Sequence, residues 1–138
     1  MTTIENLWPE FPVDNLVKSP KSILEEQAIF LATNTKNLLT ANINTHTNFD
    51  GRLEHTFEIV APALNGYKYS LFTINQKDIF LYPCRLEGEG QYSINTEDDL
   101  IKKLKDIFNS AETQKIINSL MSQSKENAIL PKSSGFSH

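Results

Sequence analysis

The sequence predicts a single α+β domain in which one helix is followed by four antiparallel strands and then by two further helices. Three observations indicate this order. Apolar residues recur at helical spacing in residues 20–33 and again in residues 97–123. Residues 39–86 instead alternate between apolar and polar side chains, as half-buried strands do. The signals Asp50-Gly51 and Asn65-Gly66 mark turns between the alternating stretches.

Composition divides the 138-residue chain into three parts. Residues 1–18 contain two prolines among large apolar residues, so we expect an extended apolar arm that packs on another surface. Residues 19–123 form the α+β domain, which is long enough to bury a hydrophobic core. Residues 124–138 are polar and include Pro131 and Gly135, so we expect a loose tail.

Capping residues place the helix starts. Ser19 is a favoured N-cap, and Pro20 suits the first helical position, so a helix is predicted over residues 20–33. Thr96 caps a second helix, and the three acidic residues that follow it favour the positive end of that helix. Asn109-Ser110 interrupts the helical pattern, and a last helix is predicted to end near Gln123.

The four predicted strands are residues 39–46, 53–60, 67–75 and 78–86. A two-residue turn at Asp50-Gly51 would mix apolar and polar residues on each face. A three-residue loop, residues 49–51 with a left-handed glycine, instead pairs Ile43 with Phe57. Two-residue turns at Asn65-Gly66 and Gln76-Lys77 then pair Ile59 with Phe72 and Ile74 with Ile79. These registers predict one core face under the three helices: Ala41, Ile43, Phe57, Ile59, Phe72, Ile74, Ile79 and Leu81.

The opposite face is predicted to be polar on the first strands and aromatic on the last ones. Its polar members are Asn42, Asn44 and Glu58, and its aromatic patch comprises Tyr67, Tyr69, Leu71, Phe80, Tyr82 and Cys84. Monomers seldom leave such a patch bare unless it is functional. We expect Trp8 of the arm to be buried against the tyrosines, either on its own sheet or on that of a second subunit. The candidate binding residues are Trp8, Tyr67, Tyr69, Phe80 and Tyr82.

Charge and composition exclude several classes of function. The net charge is −4, and no basic stripe suggests a nucleic-acid partner. No apolar run approaches the roughly 18 residues of a membrane span, and the N-terminus lacks the pattern of a signal peptide. Cys84 is the only cysteine, so it has no partner for an intrachain disulfide. We therefore expect a cytoplasmic protein without a membrane partner.

Reactive residue types are few, and none predicts catalysis. His55 should face the core opposite Thr45, while Cys84 should lie on the other face, so no metal site is expected. Glu54 and Glu58 share a face and are expected to form an exposed acidic edge rather than an acid–base pair. We predict no catalytic residue, no metal and no cofactor.

Some stretches resemble known sequences. These are Ser19-Pro20-Lys21 with the helix that follows, Phe57 through Ala61-Pro62-Ala63, the pair Tyr67 and Tyr69, and Tyr82-Pro83. Together they resemble a scattered group of small bacterial proteins of unknown function, over roughly residues 19–123. The resemblance implies kinship and assigns no catalytic residue.

Two functions fit these observations. The first is a small protein-interaction or regulatory module without catalytic activity, such as a regulator, a toxin-neutralising partner or a subunit. It would bind a protein partner or form a homodimer through the aromatic face. The alternative is a small-ligand-binding protein or enzyme with a pocket between that face and the arm.

Overall fold

The computed structural model describes residues 3–129. Helix α1 (Pro20–Asn34) precedes strands β1 (Thr40–Thr47), β2 (Leu53–Ala61), β3 (Tyr67–Gln76), β4 (Cys84–Glu87) and β5 (Gln91–Ile94). Helices α2 (Glu97–Phe108) and α3 (Ala111–Ile129) follow. The strands pair in chain order, and each pair is antiparallel. The α+β class and the helix order are confirmed, but the sheet has five strands where the sequence predicted four.

The predicted capping residues begin their helices. Ser19 Oγ accepts a hydrogen bond of 3.1 Å from Ser22 N–H, and Thr96 Oγ1 accepts one of 3.1 Å from Asp99 N–H. Both bonds satisfy N–H groups that have no partner within the helix. Helix α3 continues past the predicted end near Gln123 to Ile129. The remainder of the predicted polar tail, residues 130–138, lies outside the described residues.

The register of β1 and β2 is the predicted one. Ile43 lies opposite Phe57, and Ala41 lies opposite Ile59. The connecting loop contains three residues, and Gly51 adopts a φ of 76°, which costs a residue without a Cβ little. The alternation of apolar and polar residues determined this pairing, because a shift of the register by one residue would have turned polar side chains into the core.

The connection between β2 and β3 differs from the prediction. Pro62–Leu64 forms a turn of 3₁₀ helix before Asn65 and Gly66, so the two strands are joined by more than a two-residue turn. Proline has no N–H for a strand ladder but fits the first position of a helical turn. Phe72 consequently pairs with Phe57, not with Ile59. A bulge follows, because Glu58 pairs with Ser70 and leaves Leu71 as an extra residue.

The predicted fourth strand over residues 78–86 is wrong. Residues 77–83 form a loop, and only Cys84–Glu87 pairs with β3, so that Ile74 lies opposite Leu86. Pro83 explains the difference, since proline interrupts the hydrogen-bond ladder of a strand with neighbours on both sides. Ile79, predicted to lie in the core, is exposed in the loop. Residues 88–90 form the turn of a hairpin between β4 and β5.

All three helices contribute to a core on one face of the sheet. Phe57 stacks on Phe72 with ring centroids 5.4 Å apart, and Phe108 of α2 packs against both rings. Burial of one such side chain stabilises the fold by about 1.5–3 kcal/mol. The buried apolar residues are Ile23, Leu24, Leu39, Phe57, Ile59, Ala61, Phe72, Ile74, Cys84, Leu86, Ile94, Leu100, Leu104 and Leu120. None of the helices described is long and apolar enough to cross a membrane.

Candidate binding surfaces: the arginine pocket and the exposed arm

The predicted aromatic patch does not form on the second face of the sheet. Because of the bulge at Leu71, Tyr69 lies opposite Ile59 and faces the helices. A bulge exchanges the two faces for every residue beyond it, which the predicted register did not include. Tyr69, Leu71 and Tyr82 pack against the core, and Cys84 is buried within it.

The five predicted binding residues lie in separate places. Tyr67 is half-exposed at the first residue of β3, whereas Phe80 is exposed in the loop that follows the strand's last residue. Tyr69 is half-buried under the helices. Trp8 is 75% exposed, so its predicted burial against the tyrosines of its own sheet is wrong. Only Phe80 and Tyr82 come together, on the wall of one pocket.

The open face of the sheet is polar along its whole width. One row of directly opposed residues crosses all five strands: His46, Glu54, Asn75, Arg85 and Ser93. The Glu54 carboxylate joins the first three, because Oε1 pairs with His46 Nε2 at 2.9 Å and Oε2 accepts from Asn75 Nδ2 at 3.3 Å. Glu58 lies on the same face, as predicted. An antiparallel sheet with one solvated face has this alternation.

Arg52 is held in place by this network. Its Nε donates to Asn75 Oδ1, and its Nη2 donates to the Asn75 carbonyl at 3.4 Å. Asn75 is itself 3% exposed and is oriented by Glu54. The guanidinium is therefore positioned before any ligand arrives, and part of its fork of N–H donors is left unused.

Arg52 and Arg85, the only arginines of the chain, line the same pocket. The cavity is about 500 Å³, and Lys77 of the 77–83 loop adds a third cation. The remaining wall consists of Phe80, Tyr82, Pro83, Cys84 and Ser93, and includes no carboxylate. Arg85 Nε lies 3.5 Å from Glu87 Oε2, a contact that leaves its two terminal nitrogens available. This arginine pocket is a basic site in a chain of net charge −4.

The arm, residues 3–17, leaves the body at the rim of the arginine pocket. Lys18 is its fixed root, because Lys18 N–H donates to Glu97 Oε1 at 3.1 Å and Tyr82 Oη donates to the Lys18 carbonyl at 3.0 Å. Lys18 Nζ also pairs with Glu26 at 2.8 Å. Burial raises the pKa of Tyr82, which keeps its hydroxyl protonated and able to donate.

Neither His55 nor Cys84 is arranged for catalysis. His55 is buried with both ring nitrogens engaged, Nδ1 to Thr45 Oγ1 at 2.9 Å and Nε2 to Gln76 Oε1 at 3.1 Å. Burial raises the pKa of Cys84 to about 11, so its thiol is protonated and a poor nucleophile at neutral pH. The prediction that these two residues lie on opposite faces is wrong, since both are buried on the core side, where Gln76 bonds to His55 and lies opposite Cys84.

Within residues 3–129 there is no group of three or more His, Cys, Asp or Glu side chains suited to a metal ion. The expected absence of a metal and of a cofactor stays a prediction. No protein-family model, curated protein sequence or solved structure matches the chain. The resemblance to small bacterial proteins therefore also stays an expectation.

Sequence reasoning missed the arginine pocket. Arg52 and Arg85 are far apart in the chain, and strand β3 between them brings them to one surface. The sequence contained one signal. The chain has only two arginines, and Arg52 directly follows the predicted Asp50-Gly51 turn while Arg85 lies in the predicted strand 78–86. Arginine is the residue suited to binding carboxylate or phosphate groups.

Proposed function

We propose that the protein is a protein-interaction module whose recognition element is the exposed arm. The proposal rests on the exposure of seven large apolar side chains within one short segment. Each of them is at least 57% exposed: Ile4, Leu7, Trp8, Phe11, Val13, Leu16 and Val17. Single exposed apolar residues are ordinary, but seven of them within fourteen consecutive residues favour a binding segment.

The composition of the arm suits binding. Trp8 and Phe11 lie with their ring centroids 6.1 Å apart and offer a large aromatic contact, the type of side chain that dominates binding energy at interfaces. Pro9 and Pro12 restrict the backbone around them, which lowers the entropy lost when the arm is ordered on a partner. The arm is thus equipped to bind without belonging to the core.

A regulatory or structural role without catalysis agrees with the rest of the body. His55 is enclosed with both ring nitrogens hydrogen-bonded, and the Cys84 thiol is buried. We place the protein in the cytoplasm, where a single unpaired cysteine is ordinary. Partners of the nucleic-acid class are not favoured by a net charge of −4.

A second candidate function is binding of a small anion in the arginine pocket. Three cations line this pocket, and Arg52 is already held by Asn75. This candidate relocates the ligand-binding alternative from the predicted aromatic face to the polar face. Titration with inorganic phosphate, followed by calorimetry, tests it: binding that is lost in Arg85→Gln supports it, and absence of heat at millimolar phosphate refutes it.

Site-specific crosslinking tests the proposed function. A photoreactive phenylalanine analogue replaces Phe11 in one sample and Phe49 in the other, and both are irradiated in lysate from the source cells. Phe49 is a matched control, since it is fully exposed in the β1–β2 loop and outside the arm. We expect a discrete protein adduct from position 11 that disappears with Trp8→Ser.

Equal adduct patterns at positions 11 and 49 contradict the proposed function, because they would show that the arm has no preferred partner. An adduct that persists in the Trp8→Ser variant contradicts the assigned role of the arm's aromatic pair.

A further inference from the structure

We infer that the partner of the arm is a second copy of this chain, and that each copy docks its arm on the arginine pocket of the other. This inference rests on the proposed function and names the partner. It rests on two exposed features of the molecule whose charges are opposite and which both contain aromatic side chains. These features are the acidic apolar arm and the basic aromatic pocket.

Charge is the first complementarity. The arm has three carboxylates, Glu5, Glu10 and Asp14, and no cation between residues 3 and 17. None of these carboxylates makes a salt bridge within residues 3–129. The lining of the arginine pocket has the opposite composition, three cations and no carboxylate, and Glu87, which pairs with Arg85 Nε, lies outside the lining. Opposite patches steer association and fix its register.

Side-chain shape is the second complementarity. Ile79 and Phe80 are exposed on the loop that forms one wall of the pocket, and Tyr82 and Pro83 continue that wall. Segments that contain proline dock on aromatic-lined surfaces, because their backbone is already restricted before binding. Pro9 and Pro12 flank Glu10 and Phe11, so the same stretch offers proline, an aromatic ring and a carboxylate to the pocket.

The position of the arm's root makes a reciprocal exchange possible. Lys18 is bonded to Tyr82, which lines the pocket, so each arm leaves the body beside its own pocket. Two copies related by a two-fold axis at this end place each root next to the other pocket. The fifteen residues of the arm span up to roughly 50 Å when fully extended, which exceeds the width of such a pocket several times.

A charge-exchange experiment on the full chain tests this inference. Sedimentation equilibrium of the wild type should show a concentration-dependent change from 15.7 kDa to twice that mass. The pocket variant Lys77→Glu/Arg85→Glu and the arm variant Glu10→Lys/Asp14→Lys should each weaken the dimer about tenfold or more. The variant that combines all four changes should recover most of the wild-type affinity, because the charges are exchanged and still complementary.

The matched control for the pocket variant is Lys115→Glu/Lys125→Glu, which lowers the net charge by the same amount on exposed positions of α3. It should leave the dimer unchanged. All changed side chains are exposed in the single chain, so a circular-dichroism melt near that of the wild type should accompany each variant.

A chain that stays monomeric at all accessible concentrations overturns the inference. A dimer whose affinity is the same in the wild type, the pocket variant and the arm variant also overturns it. Loss in both variants without recovery in the combined one also overturns it. The crosslinking experiment separates these results from the proposed function: an arm adduct with a different protein retains the proposed function while the second copy is rejected. Calorimetric phosphate binding together with a monomer would assign the pocket to a small anion instead.

Discussion

The arm and the body contain the same kinds of apolar side chain and place them in opposite environments. Phe57 in the body is 2% exposed, whereas Trp8 in the arm is 75% exposed. In the body, apolar residues alternate with polar ones and meet a partner on the next strand. In the arm they are interrupted by prolines and lie exposed outside any strand or helix. Apolar content alone therefore does not distinguish side chains that stabilise this fold from those that remain available for a partner.

The largest expected effect is at the aromatic centre of the body. Phe57→Ala should lower the free energy of unfolding by about 3–5 kcal/mol, because it removes a ring that stacks on Phe72 and packs against Phe108, and it leaves a cavity. Phe49→Ala is the matched control and should change it by less than about 0.5 kcal/mol, since Phe49 is fully exposed. Urea unfolding measures both. Similar stabilities for the two variants would break the contrast between buried and exposed apolar residues.

A smaller effect is expected at the end of α1. The buried Thr35 hydroxyl donates to the Leu31 carbonyl at 2.9 Å and accepts from Leu39 N–H at 3.1 Å. Thr35→Val keeps the shape but leaves the Leu39 N–H without its partner, so we expect a loss of about 1–3 kcal/mol in the free energy of unfolding. Thr33→Val, at an exposed position of the same helix, should be near neutral. Equal effects would show that the hydroxyl is not required.

The pH dependence of stability should reveal the neutral state of His55. Burial lowers the pKa of His55; Lys21 lowers it further, whereas the hydrogen bond to Gln76 and the charge of Glu25 raise it. The unfolded chain therefore binds more protons, and stability is lost as the pH falls below about 6.5, the ordinary pKa of histidine. His55→Gln should fold and show a shallower loss of melting temperature between about pH 7 and 5.

The control for this titration is His46→Gln, which removes an exposed histidine of the neighbouring strand and should keep the part of the slope that His55 contributes. An unchanged slope in His55→Gln would mean that His55 is not held neutral.

The smallest effect on stability is expected in the arm. Trp8→Ser should change the free energy of unfolding of the dilute monomer by less than about 0.5 kcal/mol, because three quarters of the Trp8 side chain is exposed. Differential scanning fluorimetry at low protein concentration measures this. A loss of unfolding free energy comparable to that of Phe57→Ala would show that Trp8 is part of the packed core and not an exposed residue of the arm.

Sequence reasoning succeeded where one alternative was physically excluded. The pairing of Ile43 with Phe57 followed from the alternation of apolar and polar residues. The helix starts after Ser19 and Thr96 followed from the preference of Ser and Thr for the N-cap position. It failed at β3, because Leu71 and Tyr69 are acceptable on either face, so no pattern revealed the bulge between them and Phe72.

The candidate site was predicted only in part, for a related reason. Phe80 and Tyr82 were recognised as surface residues, although Pro83 should have argued against the strand in which they were placed. Arg52 and Arg85 come together through a register that the sequence did not determine. The arm was recognised by its apolar content, but its exposure was not foreseen, because the sequence predicted that Trp8 packs against tyrosines.

Trp8 fluorescence reports whether the arm is exposed or covered, because Trp8 is the only tryptophan of the chain. Emission is recorded over a dilution series of the full chain, with Trp8 exposed in the lone molecule and covered only when a partner binds the arm. We predict emission typical of a water-exposed indole at high dilution and a blue shift that grows with protein concentration. Blue-shifted emission that does not change on dilution would contradict the exposure of Trp8 in the lone molecule, since the arm would then be packed on its own body.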